Sequence, residues 1–291
     1  MRTLSTPNPS FDITRELDFL SKRMTIANRS ASSINCYCRS VKRLYEFHKI
    51  SPRELEIDQL IDFLYYLQHD KALHTHTIKL YVAGLRYYYQ EIVCSVDLAQ
   101  QIPYPKNKPS LPLVLSREEL QQVFNGCLIY KHKVMFRLIY SAGLRLAELA
   151  HLKITDIDTK DGKMRIRINN GKGGKDRYTI LSKVILDELR IYVKMCKPKS
   201  YLFNGKIKGN PMSLGGIHHA LKQAVKRTDI EKRVNLHILR HCFASHALED
   251  GLNIKTLQYL LGHQSIKTTM IYLHVSEVPL SKAFSPLDNW A

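Results

Sequence analysis

Met164-Arg165-Ile166-Arg167-Ile168-Asn169-Asn170-Gly171-Lys172-Gly173-Gly174-Lys175-Asp176-Arg177-Tyr178-Thr179-Ile180-Leu181 decides the fold class. Its first five residues alternate apolar and basic, the period of a strand with one basic face. Three glycines crowd the middle, where a chain reversal needs backbone freedom. Arg177 to Leu181 then returns as a second strand, and Asp161-Gly162 just upstream is a turn signal. A small antiparallel sheet is therefore predicted inside a chain that otherwise reads as helices.

Downstream of the hairpin, apolar periodicity predicts helices over about 182–195, 213–228, 236–249, 253–261 and 266–273. Upstream, Ser116-Arg117-Glu118-Glu119 has the form of a capping box that opens a helix to about Asn125. Another helix spans about 130–140 and stops at Gly143. Before that lies a different kind of sequence. Ile34, Tyr37, Val41, Leu44 and Tyr45 share one helical face, with Ser30, Ser32 or Ser33 placed to cap it. Ile78, Tyr81, Val82, Leu85, Tyr88 and Tyr89 form a second such stripe, opened by Thr75 or Thr77. Helices at about 12–28 and 56–69 complete a four-helix set. Between the two parts, Pro103, Pro105, Pro109 and Pro112 punctuate a basic, extended linker. The expected organisation is an all-helical domain over 10–98, a linker over 99–113, a mixed domain over 114–276 and a tail over 277–291. The fold class is mainly α with a small antiparallel β-sheet.

The chain has 291 residues, 44% of them hydrophobic and 24% charged, enough apolar surface for about two cores and too much for disorder. Its 44 basic and 26 acidic residues give a net charge of +18. Residues 1–110 hold 15 basic and 11 acidic residues, so most of the excess lies beyond them. Such an excess points to a polyanionic partner. No apolar run reaches the ~18 residues of a membrane span, and Met1-Arg2-Thr3-Leu4-Ser5 lacks the apolar block of a secretory signal. A cytoplasmic protein without membrane contact is expected. The six cysteines, at 36, 38, 94, 127, 196 and 242, are too scattered for a disulfide framework and read as reduced packing thiols.

Several residues can carry chemistry, and each has a plainer alternative. Gly171 to Lys175 superficially resembles a phosphate loop, but Asp176 follows Lys175 where Ser or Thr is required. Nucleotide hydrolysis is unsupported, and Lys172 and Lys175 remain as cations on a turn, functional or solvated. Leu236, Leu239, Phe243 and Ala247 form a buried stripe, and His237, Arg240 and His241, at i, i+3 and i+4, share another face. Ile238 stands where a zinc protease needs Glu, and Arg240 would repel a cation, so the face suits an anion or is structural. His263 follows Gly262 at a helix end, and Tyr272 lies nine residues on. Each alone is more often structural than reactive. Arg145 stands after the Gly143 turn with Glu148 one turn further, an orienting pair or a surface ion pair of little worth. Arg39, Lys42 and Arg43 lie off their helix's apolar stripe, facing water or phosphate.

Taken together, Gly143-Leu144-Arg145-Leu146-Ala147-Glu148-Leu149, Gly171-Lys172-Gly173, His237-Ile238-Leu239-Arg240-His241, Leu261-Gly262-His263 and Tyr272 occur in the order and at the spacing of tyrosine recombinases. The sequence resembles that family, of the Xer and phage-integrase type, over nearly its whole length. The resemblance implies a SAM-like four-helix core-binding domain followed by an α+β catalytic domain. It implies a DNA strand cut through a 3′-phosphotyrosine and rejoined, with no metal, ATP or other cofactor. Tyr272 would be the nucleophile, and Arg145 and Arg240 the clamp on the phosphate. Lys172, with Lys175 as competitor, would be the general acid. His237 would assist proton transfer, and His263 would bond the phosphate. Glu148 and His241 would support them, and Arg39, Lys42, Arg43 and Lys175 would contact DNA. The partner would be double-stranded DNA carrying a specific site. The protein would be monomeric when free and a homo-tetramer on DNA, linked through its tail. Two rivals are a type IB topoisomerase and a catalytically silent DNA-binding protein. The short segment before the first helix argues against an extra arm-binding domain, while Phe284-Ser285-Pro286-Leu287-Asp288 is similar to the end of integron integrases.

Overall fold

A computed structural model describes residues 11–106, 111–169, 176–207 and 209–274. The chain divides into two compact units, Met1–Pro109 and Ser110–Ala291.

In the first unit, α1 (Ile13–Ile26), α2 (Ala31–His48), α3 (Ile57–His69) and α4 (Thr75–Glu91) realise the four predicted helices. Ser30 caps α2 by accepting from the Ser33 amide. His74, not either threonine, caps α4, its ring nitrogen accepting from the His76 amide. A short fifth helix, α5 (Val96–Gln101), was not foreseen. Only Ala99 within it and Ile102 after it are buried, too few positions to leave a periodic trace. The core is closed by Leu20, Met24, Val41, Leu44, Phe63, Val82, Leu85 and Tyr88.

The second unit begins its helices with α6 (Arg117–Asn125), whose Ser116 and Glu119 form the expected reciprocal cap. Then come α7 (Tyr130–Ala142) and α8 (Leu146–His151), separated by Gly143 in the left-handed conformation at φ 62°. The sheet has three strands in the order β1 (Ile157–Asp158), β2 (Arg165–Ile168), β3 (Arg177–Ile180), all antiparallel. The two-residue β1 carried no sequence signal. Register pairs Ile166 with Thr179 and Ile168 with Arg177. In β2 the isoleucines face the core, away from the predicted basic face, and in β3 Arg177 and Thr179 are buried while Ile180 is exposed.

Helices α9 (Lys183–Cys196), α10 (Leu214–Val225), α11 (Leu236–Glu249), α12 (Ile254–Leu261) and α13 (Ile266–Met270) follow. The last predicted helix is split. After Met270 the chain tightens into a 3-10 turn, Ile271–His274, which carries Tyr272. Helix α11 runs through the middle of the unit and is buried on nearly every side, including Arg240. The stripe at Leu236, Leu239 and Phe243 is buried as predicted, and on the face of His237, Arg240 and His241 the Arg240 side chain is buried too. A further correction concerns the thiols: all six cysteines are free, but Cys94 and Cys196 are exposed and do not pack. Among the described residues no helix is long and apolar enough to cross a membrane.

Candidate active site

Gly143 sets the entrance to the site. A Cβ there would collide with the Phe243 ring, and the left-handed backbone disfavours any side chain as well. The turn aims the next residues back across α11, and Arg145 becomes the residue that opens α8. The Glu148 carboxylate reaches back to accept from the Arg145 amide at 2.8 Å and from its Nη1 at 2.8 Å. Arg145 Nη2 donates to the Gly262 carbonyl at 3.1 Å. Arg177, arriving on β3, grips the same carboxylate with both arms of its fork at 2.7 and 2.8 Å. Its Nε donates to the Leu260 carbonyl at 2.9 Å. The Glu148 and Arg177 side chains are each 6% exposed, so this is no surface ion pair. Burial alone would raise the Glu148 pKa, but hydrogen bonds and charge from Arg177 and Arg145 hold it at about 2.

Arg240, 1% exposed, stands on α11 beside this pair. Its Nη1 donates to the Gly143 carbonyl, and its Nη2 donates to the Leu261 carbonyl at 2.6 Å and to His263 Nε2 at 3.3 Å. The guanidinium is thus locked by carbonyls from two separate loops. Burial, then the Arg145 charge, lower its pKa to about 9. Since arginine can only donate, His263 Nε2 is the acceptor. The His263 proton therefore sits on Nδ1, facing Thr269 Oγ1 at 3.0 Å. Thr269 is fully buried and fixes that ring. To donate to a phosphate, as the family resemblance implies, His263 must gain a proton or change tautomer.

Tyr272 closes the site. Its side chain is 2% exposed and packs with Phe243, Leu257 and Leu261. The hydroxyl lies 2.8 Å from His241 Nδ1, and the His263 ring stacks at 6.5 Å between centroids. His237 meets His241 edge-on at 4.5 Å. Burial pushes the phenol pKa up, opposed by the charges of Arg240 and Arg145. All three histidines are shifted toward the neutral form, burial being the first cause and Arg240 contributing each time. For His241 and His263 the value falls to about 4. The constellation is a buried phenol next to neutral imidazoles and an excess of fixed positive charge. Such a place suits an anion that gains charge as a bond forms to the phenol oxygen.

The structure thus gathers Arg145, Glu148, His237, Arg240, His241, His263 and Tyr272 in one site. Lys172 and Lys175 lie outside the described residues. Arg39, Lys42 and Arg43 belong to α2 in the other unit, where Lys42 stands 3.9 Å from Glu46 and Arg43 donates to the Tyr81 hydroxyl at 2.6 Å. Sequence reasoning missed Arg177 and Thr269. The available signal for Arg177 was alternation: it shares a strand face with Thr179, and two polar residues on one face of a short strand next to a core imply a partner inside. Among the described residues no group of three or more His, Cys, Asp or Glu is placed to hold a metal ion.

Residues 114–278 match the phage integrase family, and residues 17–95 match the N-terminal SAM-like domain of phage integrases. The chain belongs to the phage integrase family. Among its relatives is an integrase/recombinase of Sinorhizobium fredii, y4qK, 35% identical over 272 residues, spanning 92% of this chain and 87% of the relative. Tyrosine recombinase XerD of Listeria monocytogenes is 28% identical over 289 residues, or 92% of this chain and 96% of XerD. In fold, the chain is similar to a lambda integrase dimer bound to a COC' core site. That likeness has a TM-score of 0.74 over 94% of this chain and 97% of the other, at 16% identity.

Proposed function

We propose that this protein is a site-specific DNA recombinase that cuts and rejoins strands through Tyr272. The observation that carries the reading is the Tyr272 hydroxyl held beside His241 and His263, with His263 bonded to the buried Arg240. The Tyr272 oxygen attacks a phosphodiester, the bond from phosphorus to the 5′-oxygen breaks, and a 3′-phosphotyrosine and a 5′-hydroxyl result. A 5′-hydroxyl from a partner strand then reverses the step. One phosphoester replaces another each time, so no ATP is required.

Arg145 and Arg240 neutralise the charge that accumulates on the phosphoryl oxygens. Both are held by Glu148 or by backbone carbonyls before substrate arrives, so little reorganisation accompanies reaction. Lys172 is the donor to the leaving 5′-oxygen, with Lys175 its alternative. His237 and His263 contact the phosphate. The first unit, with Arg39, Lys42 and Arg43 on α2, adds phosphate contacts, and the net charge of +18 supports double-stranded DNA as partner. Assembly is as a homo-tetramer joined through residues 277–291, working in the cytoplasm. A lambda integrase tetramer bound to a Holliday junction is among the chain's structural neighbours.

A nicked duplex library with randomised positions tests the reading, because a nick just beyond the cut lets the short fragment bearing the free 5′-hydroxyl escape and traps the adduct. Wild-type protein is expected to yield a detergent-resistant DNA adduct with a shared sequence, and Tyr272→Phe none. An adduct that survives Tyr272→Phe removes Tyr272 as nucleophile.

A further inference from the structure

The attack requires that the phenol lose its proton, and the geometry points to His241, not His237, as the group that takes it. The inference rests on the recombinase reading above. His241 Nδ1 lies 2.8 Å from the Tyr272 oxygen, within the reach expected of a general base. His237, one turn earlier on α11, meets the His241 ring instead, at 4.5 Å between centroids.

We propose the following proton path. The Tyr272 hydroxyl donates into His241 Nδ1, with the other ring proton on Nε2. As the tyrosine oxygen bonds to phosphorus, its proton moves to Nδ1. The bond to the 5′-oxygen breaks, and that oxygen receives a proton from a separate donor. His241 is then an imidazolium beside the phosphotyrosine, its extra charge next to the new ester. When the partner 5′-hydroxyl attacks and gives up its own proton, the phenolate takes the proton back from Nδ1. The ring ends as it began, so the two steps balance without solvent entering.

The surroundings favour this role. Tyr272 is buried in an apolar cluster, which keeps the phenol protonated until a base acts. The groups facing His241 are His237 and Arg240 from its own helix and Tyr272 from the closing 3-10 turn. Burial and the two cationic or ionisable neighbours keep the ring neutral in the free protein, hence ready to accept. An arriving phosphate offsets the Arg240 charge and raises the basicity of the ring at the moment it is needed.

The test uses the full chain and the nicked duplex recovered from the library. His241→Asn places an amide near the Nδ1 position, able to hydrogen-bond but not to take a proton. Single-turnover cleavage is expected to slow by on the order of 10²–10⁴-fold near neutral pH, the gap closing as the pH approaches that of phenol ionisation. A duplex with sulfur in place of the bridging 5′-oxygen has a leaving group that needs no proton. It is expected to leave the His241→Asn defect in place, whereas it restores a variant that lacks the acid. Cleavage by His241→Asn at the wild-type rate overturns the proposal, and so does rescue by the sulfur duplex. If His241→Asn loses its DNA binding, the wild-type profile decides: the rate must fall as the pH drops toward about 4, and a flat profile from about pH 7 down to about pH 4 overturns the proposal. A wild-type protein that forms no adduct at all removes the recombinase reading itself, a result distinct from each of these.

Discussion

Each unit holds a buried glutamate side chain bound to arginine, and the two differ in how many cations surround it. In the first unit Glu16 on α1 accepts from Arg53 at 2.9 and 3.2 Å and from the Tyr88 hydroxyl at 2.7 Å. One carboxylate meets one guanidinium, and the arginine is 47% exposed. The set is neutral and closed, a staple between α1, the loop before α3 and α4. In the second unit Glu148 faces Arg145, Arg177 and, at 3.9 Å, Arg240. One negative charge is set against three positive ones in a buried place. Water would ordinarily offset such an excess, and burial removes it. Structure alone does not call for the two extra cations; an incoming anion does.

The largest effect should come from deleting the carboxylates. Glu148→Ala leaves three guanidinium groups without their shared counter-charge and should cost about 3–5 kcal/mol of stability. Glu16→Ala should cost only about 1–3 kcal/mol, chiefly from the Tyr88 hydroxyl left unpaired, because Arg53 can hydrate. Denaturant titration followed by hydrogen exchange in each unit separates the two. Equal losses would mean that the three-to-one arrangement carries no special strain.

Next in size is Arg145→Ala. Removing one preformed donor to the phosphoryl oxygens should lower cleavage by on the order of 10²–10³-fold. Arg53→Ala, an arginine of the closed staple, should leave cleavage as it was. Single-turnover rates on the captured duplex make the comparison.

The contrast also shows what sequence could and could not reveal. The Gly143 turn, the Ser116 cap and the alternation of β2 are local, so the residues themselves reported them. Arg145, Arg240, His263 and Tyr272 were found through their order and spacing. Arg177 was hidden because an arginine on a strand ordinarily faces water, and only the approach of Glu148 from α8, 29 positions away, reverses that preference. The burial of Arg240 was hidden in the same way: α11 looks amphipathic alone, but the end of α12 and the Gly143 turn close over this one side chain. The 3-10 turn at Tyr272 depends on packing against Phe243 and Leu261, which no window of a few residues contains.

A smaller effect concerns acid. His241 and His263 have folded pKa values of about 4, below the usual histidine value near 6.5. Between those limits the unfolded chain binds more protons, so stability rises with pH across that window and is lost as pH falls through it. Glu148, held at about 2, adds a further loss as pH falls from its ordinary value toward 2. Hydrogen exchange as a function of pH should therefore show the second unit opening before the first on acidification. Simultaneous opening of both units would contradict the assignment of neutral, buried imidazoles.

The smallest effects lie on α2, where charges share one helix but not one fate. Arg39, Lys42 and Arg43 are all exposed, but only Arg43 is engaged with Tyr81, donating to its hydroxyl and lying over its ring at 5.7 Å. If Arg39 and Lys42 touch phosphate, Arg39→Ala and Lys42→Ala should each reduce the slope of log binding constant against log salt by about 1. Neither should move stability by more than about 0.5 kcal/mol. Arg43→Ala should do the reverse, costing about 0.5–1 kcal/mol of stability in the first unit through the lost ring contact, with a smaller change in slope. Filter binding of the captured duplex over a salt series reads the slopes. Unchanged slopes for Arg39 and Lys42 would make the outer face of α2 a solvated surface, and the preorganised cations of the second unit would then carry the phosphate contacts.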